Sequence, residues 1–158
     1  MVGRKLCVSL IVAGALFLFL APYANAEARF GVRTGAYFDA ESAFIGGEGL
    51  FNVFNDSWFF NPNVEYVFVD NGDLWTLNFD FHYDLPVKAP VYLWVGAGPT
   101  ILHRDRDRPF DDSETDFGVN LFMGVGFKLR NSRILPYIQP KVILSDNSEF
   151  SLAFGLRF

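Results

Sequence analysis

Two histidines, His82 and His103, are the only imidazoles in this 158-residue sequence, and neither sits in a metal-ligand spacing. Acyl-transfer chemistry needs a hydroxyl or thiol held beside such a base. His103 opens the charged run His103-Arg-Asp-Arg-Asp-Arg-Pro-Phe-Asp-Asp-Ser-Glu-Thr, so a His103–Ser113–Glu114 grouping is the conceivable nucleophilic site. A histidine and a serine sharing a loop are more often just loop, and a non-catalytic protein is expected. No phosphate loop or nucleotide fingerprint is present either, and no cofactor or metal is expected. The remaining candidates are polar residues set singly into apolar stretches: Arg33, Glu48, Glu65, Asp80, Asn120, Gln139 and Lys141, with Asn78 and His82 placed in the same way. Isolated charges facing an interior are costly, so both signs at similar depth predict a hydrogen-bonded ion-pair network. Such a network is either a plug or a gated proton or ion path, and the plug is the reading preferred here.

What must position these residues is a set of strands. The stretch Leu74–Leu85 alternates Trp75, Leu77, Phe79, Phe81, Tyr83 and Leu85 with Thr76, Asn78, Asp80, His82 and Asp84. Side chains on a strand alternate faces, and no helix sorts residues with period two. The pattern recurs about eight times, over Arg29–Asp39, Phe44–Val53, Trp58–Val69, Leu74–Leu85, Val91–Leu102, Asp116–Leu129, Ile134–Leu144 and Glu149–Phe158. Glycines in the second stretch and apolar residues on both sides of the fifth leave their faces open. There, Leu50 and Trp94 are apolar candidates for the polar side, as is Phe122 in the sixth. The connectors are rich in Asn, Asp, Gly and Ser, which is turn chemistry. Pro62, Pro99, Pro136 and Pro140 fall inside proposed strands, where bulges or strand ends are expected.

Residues 1–26 read as a secretory signal peptide. Arg4 and Lys5 precede an apolar run over 6–21, Pro22 breaks it, and Ala24-Asn25-Ala26 supplies the small-x-small cleavage pattern at Ala24 and Ala26. The sole cysteine, Cys7, lies in that leader, so no disulfide is expected in the remaining domain, 27–158. That domain carries eleven basic and eighteen acidic residues, a net of −7, which argues against a nucleic-acid partner. After the leader no segment approaches ~20 consecutive apolar residues, although 51% of the sequence is apolar. Strands of about 9–11 residues with one apolar face are the alternative way to cross a bilayer.

Taken with the leader and the closing stretch, where Phe150, Leu152, Phe154, Leu156 and Phe158 alternate with small or polar residues, the pattern resembles the small bacterial outer-membrane β-barrels of the OmpA transmembrane-domain and OmpX type. That resemblance implies an all-β, eight-stranded antiparallel up-and-down transmembrane barrel, monomeric, in the outer membrane of a Gram-negative-type bacterium. It implies that the final strand ending in Phe158 is what the barrel-assembly machinery recognises. It also implies termini on the periplasmic side, which makes the connectors near Glu41, Asn71, Arg104–Thr115 and Asp146 the surface loops. Outer-membrane lipid and lipopolysaccharide are then the expected partners. Arg104, Arg106 and Arg108 are candidate contacts with lipopolysaccharide phosphates, against the plainer reading of a solvated charge run. The expected role is envelope integrity or surface interaction. The alternatives are a small passive channel for apolar ligands, as in OmpW-like barrels, and a lipid A-modifying enzyme.

Overall fold

The computed structural model describes residues 28–70, 72–105 and 113–158. Within them the chain forms eight strands: β1 (Arg29–Tyr37), β2 (Ser42–Asn52), β3 (Trp58–Val67), β4 (Asp73–Leu85), β5 (Val91–Asp105), β6 (Glu114–Phe127), β7 (Leu135–Leu144) and β8 (Glu149–Arg157). Each pairs antiparallel with its sequence neighbours, and β1 pairs with β8, so the sheet closes into an up-and-down barrel. Closure is what removes the unpaired edges that an amphipathic sheet would otherwise expose. The seam runs from Gly31↔Arg157 to Tyr37↔Ser151, and Phe158 extends it by exchanging two backbone hydrogen bonds with Phe30. The proposed leader, with Ala24 and Ala26, lies outside the described residues, as do Arg106 and Arg108.

Strand parity separates two surfaces. Val32, Ile45, Val64, Leu77, Val95, Leu121, Val142 and Phe154 face outward and are exposed. An apolar belt of that extent, with no second layer over it among the described residues, is a lipid-facing surface and not a water-facing one. Aromatic pairs gather at both rims: Tyr66 with Trp75 and Phe68 at one end, Trp58 with Tyr83 and Phe60 with Phe81 at the other. Such girdles sit where amphipathic rings bridge hydrocarbon and headgroups. The open faces of β2 and β5 resolve the same way, with Leu50 and Trp94 inward.

Three prolines depart from the expectation of bulges. Pro62, Pro99 and Pro140 each lie in an unbroken register; Glu48↔Asn63 and Phe51↔Phe60 flank Pro62 with no slip, and the other two are flanked likewise. The ladder only opens on the side where the missing N–H would have donated, while the opposite side stays paired. Pro136 sits at the start of β7, beyond its last pair with β6, as a strand-end proline should. The β5–β6 hairpin is the longest. Alternating Arg and Asp read as loop, yet the strands continue through His103 and Arg104, which oppose Thr115 and Glu114.

Candidate functional site

The lumen is filled by side chains stacked in three zones. At mid-height lies the polar zone. Glu65 is its hub: Lys141 Nζ stands 2.9 Å and Arg33 Nε 3.1 Å from its carboxylate, Thr76 Oγ1 donates at 3.1 Å, and the Tyr37 hydroxyl donates to it as well. Glu48 is the second hub, taking Arg157 Nε at 2.8 Å and Asn61 Nδ2 at 3.2 Å. Arg33 joins the hubs, because its Nη1 also lies 3.7 Å from Glu48. No Arg33 N–H is aligned for a hydrogen bond, so its bridging is Coulombic attraction without directional bonding.

Asp80 has a different environment. Its oxygens accept from Asn63 at 2.9 Å and Asn120 at 2.8 Å, while Asn78 links Asn63, Thr100 and Asn120 into one amide chain. A carboxylate held by amide donors keeps its acceptors occupied without a contacting cation. Gln139 accepts from Trp94 Nε1 at 3.0 Å. Three cations, Arg33, Lys141 and Arg157, thus share the core with three carboxylates, Glu48, Glu65 and Asp80, all of them buried. The formal charges of the zone cancel, as a narrow interior holding six ionisable groups requires.

Apolar zones close the polar one at both ends. Toward the β5–β6 hairpin, Tyr37, Phe44, Val67, Leu74, Leu102 and Ile143 pack together, with Ala40 and Val69 against them. Toward the opposite end, Trp94, Phe122 and Tyr137 pack together with Tyr92 alongside. The Arg157 guanidinium lies 4.7 Å from the Trp94 ring centre and 4.5 Å from that of Tyr137, and His82 stacks on Phe59 at 5.3 Å. Glycine makes room for these bulky groups. A Cβ on Gly124 would overlap the Trp94 indole, and one on Gly155 would overlap the Tyr137 ring. Alternating small and large residues fill a tapering interior in this way.

Of the residues singled out in the sequence, Arg33, Glu48, Glu65, Asp80, Asn120 and Lys141 meet in this one polar zone, and Gln139 borders it. Arg157, Tyr37, Asn61, Asn63, Thr76 and Thr100 belong to it too, although only their inward parity marks them in the sequence. Arg104 is on β5 instead of a loop, and its side chain lines a small pocket at the barrel mouth with Glu114, Asp116 and Glu149. His103 Nδ1 lies 2.9 Å from Thr115 Oγ1, so its hydroxyl neighbour is not Ser113. Among the described residues no three His, Cys, Asp or Glu side chains converge on a metal site. Phe150, Leu152, Phe154 and Leu156 face outward on β8 beside β1 and β7.

An eight-stranded closed barrel with a lipid-facing belt and a filled lumen is the fold of the small outer-membrane barrels. The N-terminal β-barrel domain of Pseudomonas aeruginosa OprF superposes with a TM-score of 0.70 at 13% identity, covering 83% of this chain and 95% of that one. Ail, the attachment invasion locus protein of Yersinia pestis, solved in complex with the heparin analogue sucrose octasulfate, superposes with a TM-score of 0.59 at 14% identity, covering 84% and 99%. The likeness at this identity is one of fold. No protein-family model and no curated relative matches the sequence.

Proposed function

We propose that this chain is exported behind a cleaved leader, resides in the bacterial outer membrane as a monomer, and serves envelope integrity or a surface interaction without catalysis or conduction. The observation that carries the reading is the sealed lumen. The polar core lies between an apolar cluster on one side and aromatic rings interleaved with Arg157 and His82 on the other, and Trp94, Tyr37, Arg33 and Lys141 are all at most 2% exposed. A conducting pore needs a continuous hydrated path, and an apolar constriction without water interrupts one. Purified protein in planar bilayers is therefore expected to be electrically silent; reproducible single-channel steps would overturn the reading in favour of a channel.

The surface role is supported by the charge at the hairpin end, which carries Asp39, Glu41, Asp70, Asp73, Asp105, Glu114, Asp116, Asp146 and Glu149 together with Arg104. Lipopolysaccharide is the partner that suits it, with arginines meeting phosphates and carboxylates sharing divalent cations. The variant Arg104→Ala/Arg106→Ala/Arg108→Ala should retain less lipopolysaccharide on purification; an unchanged amount would count against that partner. Loss of an acyl chain from lipid A on expression would replace the non-catalytic reading with an enzymatic one.

A further inference from the structure

The charges of the described residues are sorted along the barrel axis. The hairpin end carries nine carboxylates against Arg104, and the lumen balances three against three. The opposite end carries Arg29, Lys88, Lys128, Arg130 and Arg133 against Asp56 and Asp84. Four of these cations occupy two adjacent turns, 86–90 and 128–134, which contain no acid. The turns flank the base of the β5–β6 pair, where Val91 opposes Phe127, and Lys128 N–H donates to Pro90 C=O at 3.1 Å, tying one to the other. The Lys128 ammonium is held 4.0 Å from the centre of the Tyr92 ring, over the inward aromatic layer, so Lys88, Arg130 and Arg133 are the cations left to meet a headgroup.

From this clustering we infer that the two turns form a binding site for the phosphate of an anionic phospholipid in the adjoining leaflet. The inference rests on the bilayer-spanning reading proposed above. What favours a lipid over a soluble or wall-borne anion is the apolar flank of each cation. Val87 precedes Lys88, Leu129 lies between Lys128 and Arg130, and Ile134 follows Arg133, all three exposed and continuous with outward Leu85 and Phe127. Apolar side chains at that level enter the acyl boundary, and long basic side chains beside them reach the headgroup phosphates. Basic residues at such a surface favour anionic lipid and lose that preference as salt screens them. At the other end, where carboxylates outnumber cations, an anionic headgroup is held only through a bridging divalent cation.

The test uses the full mature protein in bilayer nanodiscs and spin-labelled lipids, whose motionally restricted fraction reports lipids in contact with the barrel. Phosphatidylglycerol should be preferred over phosphatidylcholine about fivefold, and the preference should fall as sodium chloride is raised. Lys88→Gln/Lys128→Gln/Arg130→Gln/Arg133→Gln should abolish it. Equal affinity for the two lipids in the wild type, or an unchanged preference in the quadruple variant, would overturn the site. Retention on purified peptidoglycan that is lost in the quadruple variant, with lipid preference unaltered, would assign the turns to the wall instead and overturn it equally. Boiled and unboiled samples that differ on a gel confirm that each variant has folded. A wild type that yields no restricted lipid at all would overturn the bilayer-spanning reading itself, an outcome distinct from a barrel that inserts without headgroup preference.

Discussion

Glu65 on β3 and Lys141 on β7 meet across the lumen at 2.9 Å, although 76 residues separate them in the chain. The pair spans the barrel diameter, so it forms only when the sheet has closed. Arg33 shares the same carboxylate, which makes Glu65 the anion of two buried cations.

Glu65→Gln therefore leaves Arg33 and Lys141 facing each other without their shared counter-charge. Removing one partner of a buried ionic group costs about 3–5 kcal/mol. The variant should unfold at markedly lower urea concentration in lipid vesicles than the wild type. Glu65→Leu/Lys141→Met should recover part of that loss, because Lys141 no longer stands unpaired, while Arg33 keeps only Glu48 at 3.7 Å. A double variant no better than Glu65→Gln would show that the pair is not the source of the instability.

Gly124 lies against the Trp94 indole, on the neighbouring strand and directly opposite it. Gly124→Ala should overpack the aromatic layer and cost about 1–3 kcal/mol. The readout is the temperature at which the fast-migrating folded band is lost on a gel. A methyl added at Gly47 would meet nothing nearer than the Gly31 carbonyl oxygen at 3.9 Å, so Gly47→Ala is the matched control with little packing penalty.

Period-two alternation alone placed the strands closely. β4, read as Leu74–Leu85, spans Asp73–Leu85, and β7, read as Ile134–Leu144, spans Leu135–Leu144. Parity also gave the inward face of Arg33, Glu48, Glu65, Asp80 and Lys141. Depth was harder, because it depends on the register of all eight pairs and not on any one strand. Parity shows that Phe44, Leu74, Leu102 and Ile143 point inward, but only the registers bring them to one level as a seal. Arg157 stayed outside the expected network for the same reason: its partner Glu48 is 109 residues away. The extension of β5 through Arg104 had no apolar face to reveal it, since above the lipid belt both sides of a hairpin are polar.

The three tryptophans divide by environment. Trp58 and Trp75 face outward at opposite rims, 39% and 41% exposed, whereas Trp94 is enclosed at 1%. Single-tryptophan variants in vesicles of brominated lipid should separate them. Trp58 and Trp75 should be quenched, most by bromines near the headgroups, and Trp94 hardly at all. Strong quenching of Trp94 would mean that β5 presents its other face to lipid, reversing the inward assignment of the whole strand.

The seam between the first and last strands ends at Phe158, whose N–H donates to Phe30 C=O at 2.9 Å while its own carbonyl accepts from Phe30 N–H at 3.2 Å. Deleting Phe158 removes both bonds and an exposed ring from the lipid belt, yet removes no side chain of the polar core. The deletion should lower the yield of folded barrel during assembly more than it lowers the stability of barrels already folded. Phe158→Ala separates the two losses, since it keeps the backbone bonds and discards only the ring. If Phe158→Ala assembles as poorly as the deletion, the ring and not the pair of seam bonds governs closure. If both assemble like the wild type, the strand from Glu149 to Arg157 is sufficient to close the barrel.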